Sequence, residues 1–257
     1  MFFLVDAFTE IPFRGNPAGV CLVDEFLSLQ MMQKIAGFFR FPDLCFVKQT
    51  SKSNRFAIKW FSPLDQSPIC IHATIAASHI IFSNKLCVND SIELINNENI
   101  FLSKIFNDTV SITIPLIKIY KNSDCNVKNL IGIDEYAETY EDDYVYVIVL
   151  KTYEDIVTLT PNFGEIKKIG KRAIVVTAPG LGDFDFCIRY FAPKVGVYED
   201  QACGSASCRV APYWSKILGK TELTSFYPSK RSGIARLAVN KNTVDISGRA
   251  ITMAKFL

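Results

Sequence analysis

An eight-residue pattern occurs twice in this chain, and it constrains the fold more than any other feature. Phe56-Ala57-Ile58-Lys59-Trp60-Phe61-Ser62-Pro63 matches Phe186-Cys187-Ile188-Arg189-Tyr190-Phe191-Ala192-Pro193 position by position. Each copy has Phe, a small residue, Ile, a base, a large aromatic, Phe, a small residue and Pro. Apolar and polar residues alternate in the middle, as in a strand, and the proline ends it by removing a backbone donor. The likeness continues beyond the proline. After Pro63 a short loop leads to Cys70-Ile71-His72-Ala73-Thr74; after Pro193 a loop three residues longer leads to Cys203-Gly204-Ser205-Ala206-Ser207. Both then enter helical patterns. The first covers residues 73–82 and stops near Asn84; the second covers 206–218, with Gly219 as its C-terminal stop. Strand, proline, loop, cysteine and helix in the same order twice predict two duplicated halves.

The rest of the chain reads mainly as short strands: residues 2–8, 20–23, 45–48, 110–114, 144–150, 173–177, 235–239 and 243–246. A helix is expected at about 28–39, with Ser28 as its N-cap. Strands outnumber helices, which are few and placed once per half. That argues for an α+β fold with mixed sheets over an alternating doubly wound one. The polar stretch 118–141 is expected to hold the crossover. The halves are expected at 1–115 plus 247–257, and at 116–246.

Composition narrows the function. The chain has 257 residues, 28 Lys plus Arg against 26 Asp plus Glu, and a net charge of +2. No basic stripe points to nucleic acid or to a membrane surface. The apolar start, Met1 to Val5, meets Asp6 at once and lacks a charged leader, so no signal peptide is expected. No apolar run approaches the ~18 residues of a membrane span. The eight cysteines (Cys21, Cys45, Cys70, Cys87, Cys125, Cys187, Cys203 and Cys208) form no C-x-x-C pair, so neither a zinc site nor a thioredoxin-like motif is expected. Their scatter through apolar segments suits reduced core thiols in a cytoplasmic protein.

The two helix starts are the chemically interesting places. A helix N-terminus presents unpaired N–H groups and the positive end of the dipole. It attracts carboxylates and should lower a thiol's pKa. Two halves related by a pseudo-twofold axis would aim both starts at one cleft, able to hold an amino-acid-like carboxylate without metal or organic cofactor. The first loop offers Cys70 and His72; the second offers Glu199, Asp200, Cys203 and Ser205. His79 lies seven residues after His72 and reads as a packed helix histidine.

These residues resemble a known pattern. Asp6-Ala7-Phe8-Thr9, Phe13-Arg14-Gly15-Asn16-Pro17-Ala18, Trp60-Phe61-Ser62-Pro63 and Cys70-x-His72-Ala73-Thr74 are similar to the opening half of PhzF-like phenazine-biosynthesis proteins. Arg189-Tyr190-Phe191-Ala192-Pro193, Glu199-Asp200, Gly204-Ser205-Ala206, Ala211-Pro212-Tyr213-Trp214, Leu218-Gly219-Lys220 and Ser229-x-Arg231-x-Gly233 extend the match. The resemblance implies the diaminopimelate-epimerase-like fold, in which each half wraps a barrel-like sheet around a central helix. It implies a cofactor-independent isomerase, a homodimer, and a small-molecule carboxylate substrate. In the family a glutamate carries the proton, supported by a histidine of the first loop and an aspartate and serine of the second. Those supports map to His72, Asp200 and Ser205, and Asn16, Ala73 and Gly204 would line the substrate.

The chain departs from the pattern in four places. Asp43, in Pro42-Asp43-Leu44, replaces the family's glutamate and withdraws the carboxylate by about 1.5 Å, a displacement that can cost ~100-fold in rate. Ile71 replaces a glycine, Gln201 a proline and Cys203 a threonine. The last change places a cysteine at the head of both motifs. Diaminopimelate epimerases and proline racemases carry catalytic cysteines at these two places, as base and acid on opposite faces of a carbon. Three readings follow: a one-base isomerase using Asp43, a two-cysteine epimerase or racemase using Cys70 and Cys203, and a non-catalytic family member that binds a small ligand or a protein.

Overall fold

The computed structural model describes residues 1–97, 99–122 and 127–256. In chain order the first elements are β1 (Phe2–Ala7), β2 (Asn16–Leu22), α1 (Leu29–Phe39), β3 (Asp43–Gln49), β4 (Arg55–Phe61), β5 (Gln66–Ser67), α2 (Ile71–Ser83), β6 (Ser91–Asn96), β7 (Asn99–Phe106) and β8 (Thr109–Pro115). Next are β9 (Tyr120–Lys121), α3 (Val127–Ile131), β10 (Glu138–Glu141), β11 (Val145–Val149), α4 (Tyr153–Thr158), α5 (Phe163–Ile166), β12 (Ala173–Pro179) and β13 (Phe186–Ala192). The last are β14 (Val197–Asp200), α6 (Gly204–Leu218), β15 (Glu222–Phe226), β16 (Ile234–Val239) and β17 (Thr243–Phe256). The chain divides into two compact units: Met1–Pro115 with the C-terminal segment from Asp245, and Leu116–Val244.

Unit 1 is a closed barrel of eight strands in the order β1-β2-β3-β4-β6-β7-β8-β17, with β17 returning to β1. Along β1-β2-β3-β4-β6-β7 the pairings run antiparallel, parallel, antiparallel, parallel, antiparallel. β8 shows why the wall forms: in Thr-Val-Ser-Ile-Thr-Ile, every second residue is buried, so one face meets the core. Inside lies α2, with ten of thirteen residues buried. A helix that is apolar all round has no face to give to water. Ile75, Ile80 and Ile81 are fully buried, each contributing about 1.5–3 kcal/mol. Outside the barrel, α1 starts at Ser28, whose hydroxyl accepts from the Met31 N–H at 3.2 Å.

Unit 2 repeats the scheme. The strands β10-β11-β12-β13-β15-β16 pair antiparallel, parallel, antiparallel, parallel, antiparallel, the same succession as in unit 1. α6 packs on β13, β15 and β16, and Gly219 ends it at φ +66°, a left-handed conformation suited to glycine. The fold is therefore α+β, with two duplicated halves, each a mixed barrel-like sheet around a central helix.

Two expectations need correction. Helices do not occur once per half, because α3, α4 and α5 are also present. They span four to six residues, too short to show a 3.6-residue period. Local capping secures two of them: Thr152 and Asp155 form a reciprocal capping box before α4, and Asn162 caps α5. The final strand also runs to Phe256 instead of ending near residue 246. Gly248 does not break it; a Cβ there would lie 2.6 Å from the Phe8 ring, so the glycine permits close packing inside a continuing strand.

The stretch 118–141 carries β9, α3 and β10, and its residues 123–126, including Cys125, lie outside the described residues. Six of the other cysteines are buried free thiols, and Cys87 is half-buried. No helix among the described residues is long and apolar enough to cross a membrane.

Candidate active site

In unit 1, strand pairing and one helix start bring four polar side chains together. β3 opens with Asp43, paired with Ala18 of β2. Two-residue strand β5 folds back on β4, which pairs Ser67 with Trp60. The Ser67 hydroxyl donates to Asp43 Oδ1 at 2.5 Å. Cys70 is the N-cap of α2 in extended conformation, and its side chain makes no capping bond. Its Sγ lies 3.4 Å from His72 Nδ1 and 3.8 Å from Nε2. The first turn is locked from Thr74, whose N–H and hydroxyl both donate to the Cys70 carbonyl, at 3.1 and 2.6 Å. One ligand atom from each of Asp43, Cys70 and His72 lies within 4.8 Å of the others. Cys70 and His72 are 4% and 2% exposed, and Asp43 is half-buried.

The other unit 1 candidates sit close by in the chain. Asn16 is fully buried at the head of β2, two residues before the partner of Asp43. Gly15 places it there: φ is +66°, and a Cβ would stand 2.1 Å from the Ala7 carbonyl. Ala73 is buried in the first turn of α2, and its carbonyl accepts from the Cys45 thiol at 3.6 Å. Ile71, where the resemblance expects glycine, is 1% exposed and packs in the core. His79 contacts Thr252 Oγ1 at 3.1 Å. Burial lowers its pKa, opposed by Asp108.

In unit 2 the corresponding helix start has a different chemistry. Cys203 caps α6 without a capping bond from its side chain, and its Sγ lies 3.5 Å from Ser205 Oγ. Gly204, the first residue of the helix, is buried. Asp200 ends β14 and is 8% exposed. Burial, and then the charge of Asp200, push the Cys203 thiol well above its ordinary value. The expected lowering by the helix start is therefore overturned at Cys203, because removing a thiolate from water outweighs the N-terminal dipole. Tyr190 is likewise pushed up, by burial first and then by Cys203. Glu199 is committed elsewhere: the Arg189 guanidinium donates to both its oxygens, at 2.7 and 3.1 Å. Successive strand residues face opposite ways, which separates Glu199 from Asp200.

Register relates the two sets. β3 pairs Leu44 with Phe61, and β12 pairs Ile174 with Phe191. Phe61 and Phe191 are equivalent in the repeat, so Asp43 corresponds to Ala173. Trp60 pairs with Ser67, and Tyr190 pairs with Asp200, so Ser67 corresponds to Asp200. Cys70 and Cys203 both cap their helices, so His72 corresponds to Ser205. Sequence reasoning missed Ser67 and Tyr190. Counting back from the two cysteines instead of forward from the two prolines brings Ser67 opposite Asp200.

Asp43, Cys70 and His72 supply oxygen, sulfur and nitrogen donors within reach of one ion. Without an ion, the same group is a carboxylate oriented by a hydroxyl beside an imidazole and a thiol, a set that can take up, hold and return a proton.

Residues 5–255 match the PhzC-PhzF family model, described as phenazine biosynthesis-like protein. An uncharacterized isomerase of Pseudomonas aeruginosa is 31% identical, over 98% of this chain and 96% of its own. A PhzF-family phenazine biosynthesis protein of Enterococcus faecalis superposes with a TM-score of 0.90 at 29% identity, over 100% of this chain and 98% of the other. A probable proline racemase of Agrobacterium radiobacter shares the fold alone, with a TM-score of 0.68 at 8% identity, over 100% and 92% of the two chains.

Proposed function

Because the chain belongs to the phenazine biosynthesis-like family, we propose that it is an isomerase that moves a proton on a small amino-acid-like or cyclic carboxylate, using its own side chains and no cofactor. The observation that carries this reading is the Ser67–Asp43 hydrogen bond at 2.5 Å beside the buried His72 and Cys70. Relatives named isomerases support the reaction class.

In this mechanism the Asp43 carboxylate removes a proton from a substrate carbon. The electron pair left behind delocalises into the adjacent unsaturated or carbonyl group. Asp43 then returns the proton to a second carbon, so the product is an isomer and the enzyme is regenerated. Ser67 holds the carboxylate in one orientation, which a proton carrier needs at both carbons. His72, buried next to Cys70, is placed to hydrogen-bond the substrate atom on which charge develops. By resemblance, Asp200 and Ser205 assist the same reaction, and Asn16, Ala73 and Gly204 contact substrate.

The test is exchange of solvent deuterium into a panel of amino acids and cyclic amino-hydroxy acids, followed by mass spectrometry. Exchange is expected in at least one class of carboxylate. Asp43→Asn abolishes it, since an amide cannot accept the proton. Asp43→Glu keeps or raises it, by restoring the longer reach. Full exchange in Asp43→Asn would sink the one-base mechanism. Binding of carboxylates with no exchange by any variant would instead mark a ligand-binding member of the family.

One observation favours a second reading, a two-cysteine epimerase. Cys70 and Cys203 cap corresponding helices, and neither thiol is spent on a capping bond. The raised Cys203 thiol counts against it as the base of such a pair. Loss of exchange in both Cys70→Ser and Cys203→Ser would promote this reading over the first.

A further inference from the structure

We propose that Asp43, Cys70 and His72 form a binding site for one Zn²⁺ ion, and that the bound ion withholds Asp43 from proton transfer. The second half rests on the function proposed above; the first half does not.

Spacing is the first argument. With Zn–S near 2.3 Å and Zn–N near 2.0–2.1 Å, a tetrahedral ion holds its sulfur and nitrogen ligands about 3.5 Å apart. Cys70 Sγ lies 3.4 Å from His72 Nδ1 and 3.8 Å from Nε2, so the S···N distance suits a shared ion once the imidazole ring turns to aim one nitrogen at it. The third donor, from Asp43, lies within 4.8 Å of both.

Donor type is the second. One thiolate, one imidazole and one carboxylate are the mixed borderline set that selects Zn²⁺ over Mg²⁺, Ca²⁺ or Mn²⁺, which prefer oxygen. Charge agrees. The thiol loses its proton to bulk water as the Zn–S bond forms, so two anionic ligands balance the 2+ ion. That neutral sum suits the burial of Cys70 and His72.

Support around the ligands is the third. Ser67 donates to Asp43 and so orients a ligand carboxylate from outside. Thr74 fixes the backbone of Cys70 through its carbonyl. Three protein ligands leave a fourth position for water or substrate. The donors come from the start of β3 and from a Cys-x-His pair without the usual zinc spacing, so no local motif announces the site.

The test uses the full chain after chelator treatment, titrated with Co²⁺ alone and then Zn²⁺ alone. The expected result is one Co²⁺ per chain, with a thiolate-to-cobalt charge-transfer band in the near ultraviolet and visible bands of four-coordinate intensity, both erased by Zn²⁺. Cys70→Ser removes the charge-transfer band. Asp43→Asn and His72→Gln weaken Zn²⁺ binding by more than ~10-fold, and Ser67→Ala by about 10-fold, without touching a ligand. Far-ultraviolet circular dichroism checks that each variant folds, and Ser67→Ala keeps the proposal testable if a ligand variant does not. A missing charge-transfer band in the wild type, or the same band in Cys70→Ser, overturns the site. Deuterium exchange by the metal-free protein, stopped by one equivalent of Zn²⁺, supports the second half; undiminished exchange with Zn²⁺ bound overturns it. A cobalt band without exchange leaves the zinc site standing and removes the isomerase reading, and exchange without a cobalt band does the reverse.

Discussion

The two units share a backbone plan and differ in what they place at the head of the central helix. Unit 1 presents Asp43, Ser67, Cys70 and His72; unit 2 presents Ala173, Asp200, Cys203 and Ser205 at the matching positions. The helices differ as well. α2 carries no charged residue, whereas α6 buries Arg209, at the position of Ala76, in an ion pair with Asp142 at 2.6 Å. The two equal frames therefore carry different side chains at matching places, with the carboxylate–thiol–imidazole group in one of them alone. The thiol of unit 1 has an imidazole beside it, and that of unit 2 has a hydroxyl and a nearby carboxylate.

The largest effect should come from erasing that difference. Asp43→Ala gives unit 1 the residue that unit 2 has, and deuterium exchange should fall by at least ~100-fold. Adding Ala173→Asp in that background should restore none of it. The new carboxylate would meet Asp200, not a serine hydroxyl, and like charges at one buried place oppose ionisation. Recovery of exchange in the double variant would show that the two frames are interchangeable and break the comparison.

The second effect is on stability and is confined to unit 2. Burial alone would raise Asp142, but the charge and hydrogen bond of Arg209, with the N–H groups of Tyr144 and Val145, hold its carboxyl below the ordinary range. Arg209 also donates to the Ser205 carbonyl at 3.2 Å, tying the pair to the first turn of α6. Arg209→Met leaves a buried carboxylate unpaired and should cost about 3 kcal/mol in urea unfolding, with much of it regained in Arg209→Met/Asp142→Leu. The sign of the pH effect follows from the lowered pKa. The contribution of Asp142 is complete above the ordinary carboxylate value and is lost as pH falls through its lower folded-state value. Acid unfolding of Arg209→Met should accordingly show a shallower pH dependence than that of the wild type.

Much of the frame was legible in the sequence, because strand alternation, a terminating proline and a helix stop are local signals. Asn84 and Gly219 mark the ends of α2 and α6 for that reason. What escaped is what depends on distance or on counting. The three short helices α3 to α5 are too short for periodicity to show, and two of them, α4 and α5, rest on caps. The strand read at 243–246 continues through Gly248, whose close approach to the Phe8 ring is a contact between distant residues. Arg209 and Asp142 are far apart in the chain, so no window contains both. Glu199 looked as able as Asp200 until Arg189 was found across the strand. The Asp43–Cys70–His72 group was assembled from residues already singled out, but its metal-ligand geometry was not visible, since β3 and the α2 start meet only in three dimensions.

The third effect is smaller and sharpens the role of Ser67. Ser67→Ala removes one hydrogen bond to a carboxylate, worth about 1.5 kcal/mol, and should slow exchange about tenfold. Asp200 occupies the matching place in unit 2, so Ser67→Asp makes the units alike there and should slow exchange further than Ser67→Ala, through repulsion of Asp43. Equal rates in the two variants would mean that Ser67 only fills space.

The smallest expected difference is between the two capping thiols. Iodoacetamide reacts with thiolate, so the rate depends on access and on where the thiol proton can go. Among the described cysteines, Cys87, half-buried, should be labelled first in metal-free native protein. Cys203 should be among the slowest, since burial and Asp200 both oppose its ionisation. Cys70 lies 3.4 Å from an imidazole, and its labelling should run a few-fold ahead of Cys203. One equivalent of Zn²⁺ should remove that lead by capping the Cys70 sulfur, while the rates of Cys87 and Cys203 stay the same. Peptide mapping after partial alkylation reads all three sites in one experiment. Labelling of Cys203 ahead of Cys70 would contradict the contrast drawn between the units and raise the two-cysteine mechanism above the one-base one.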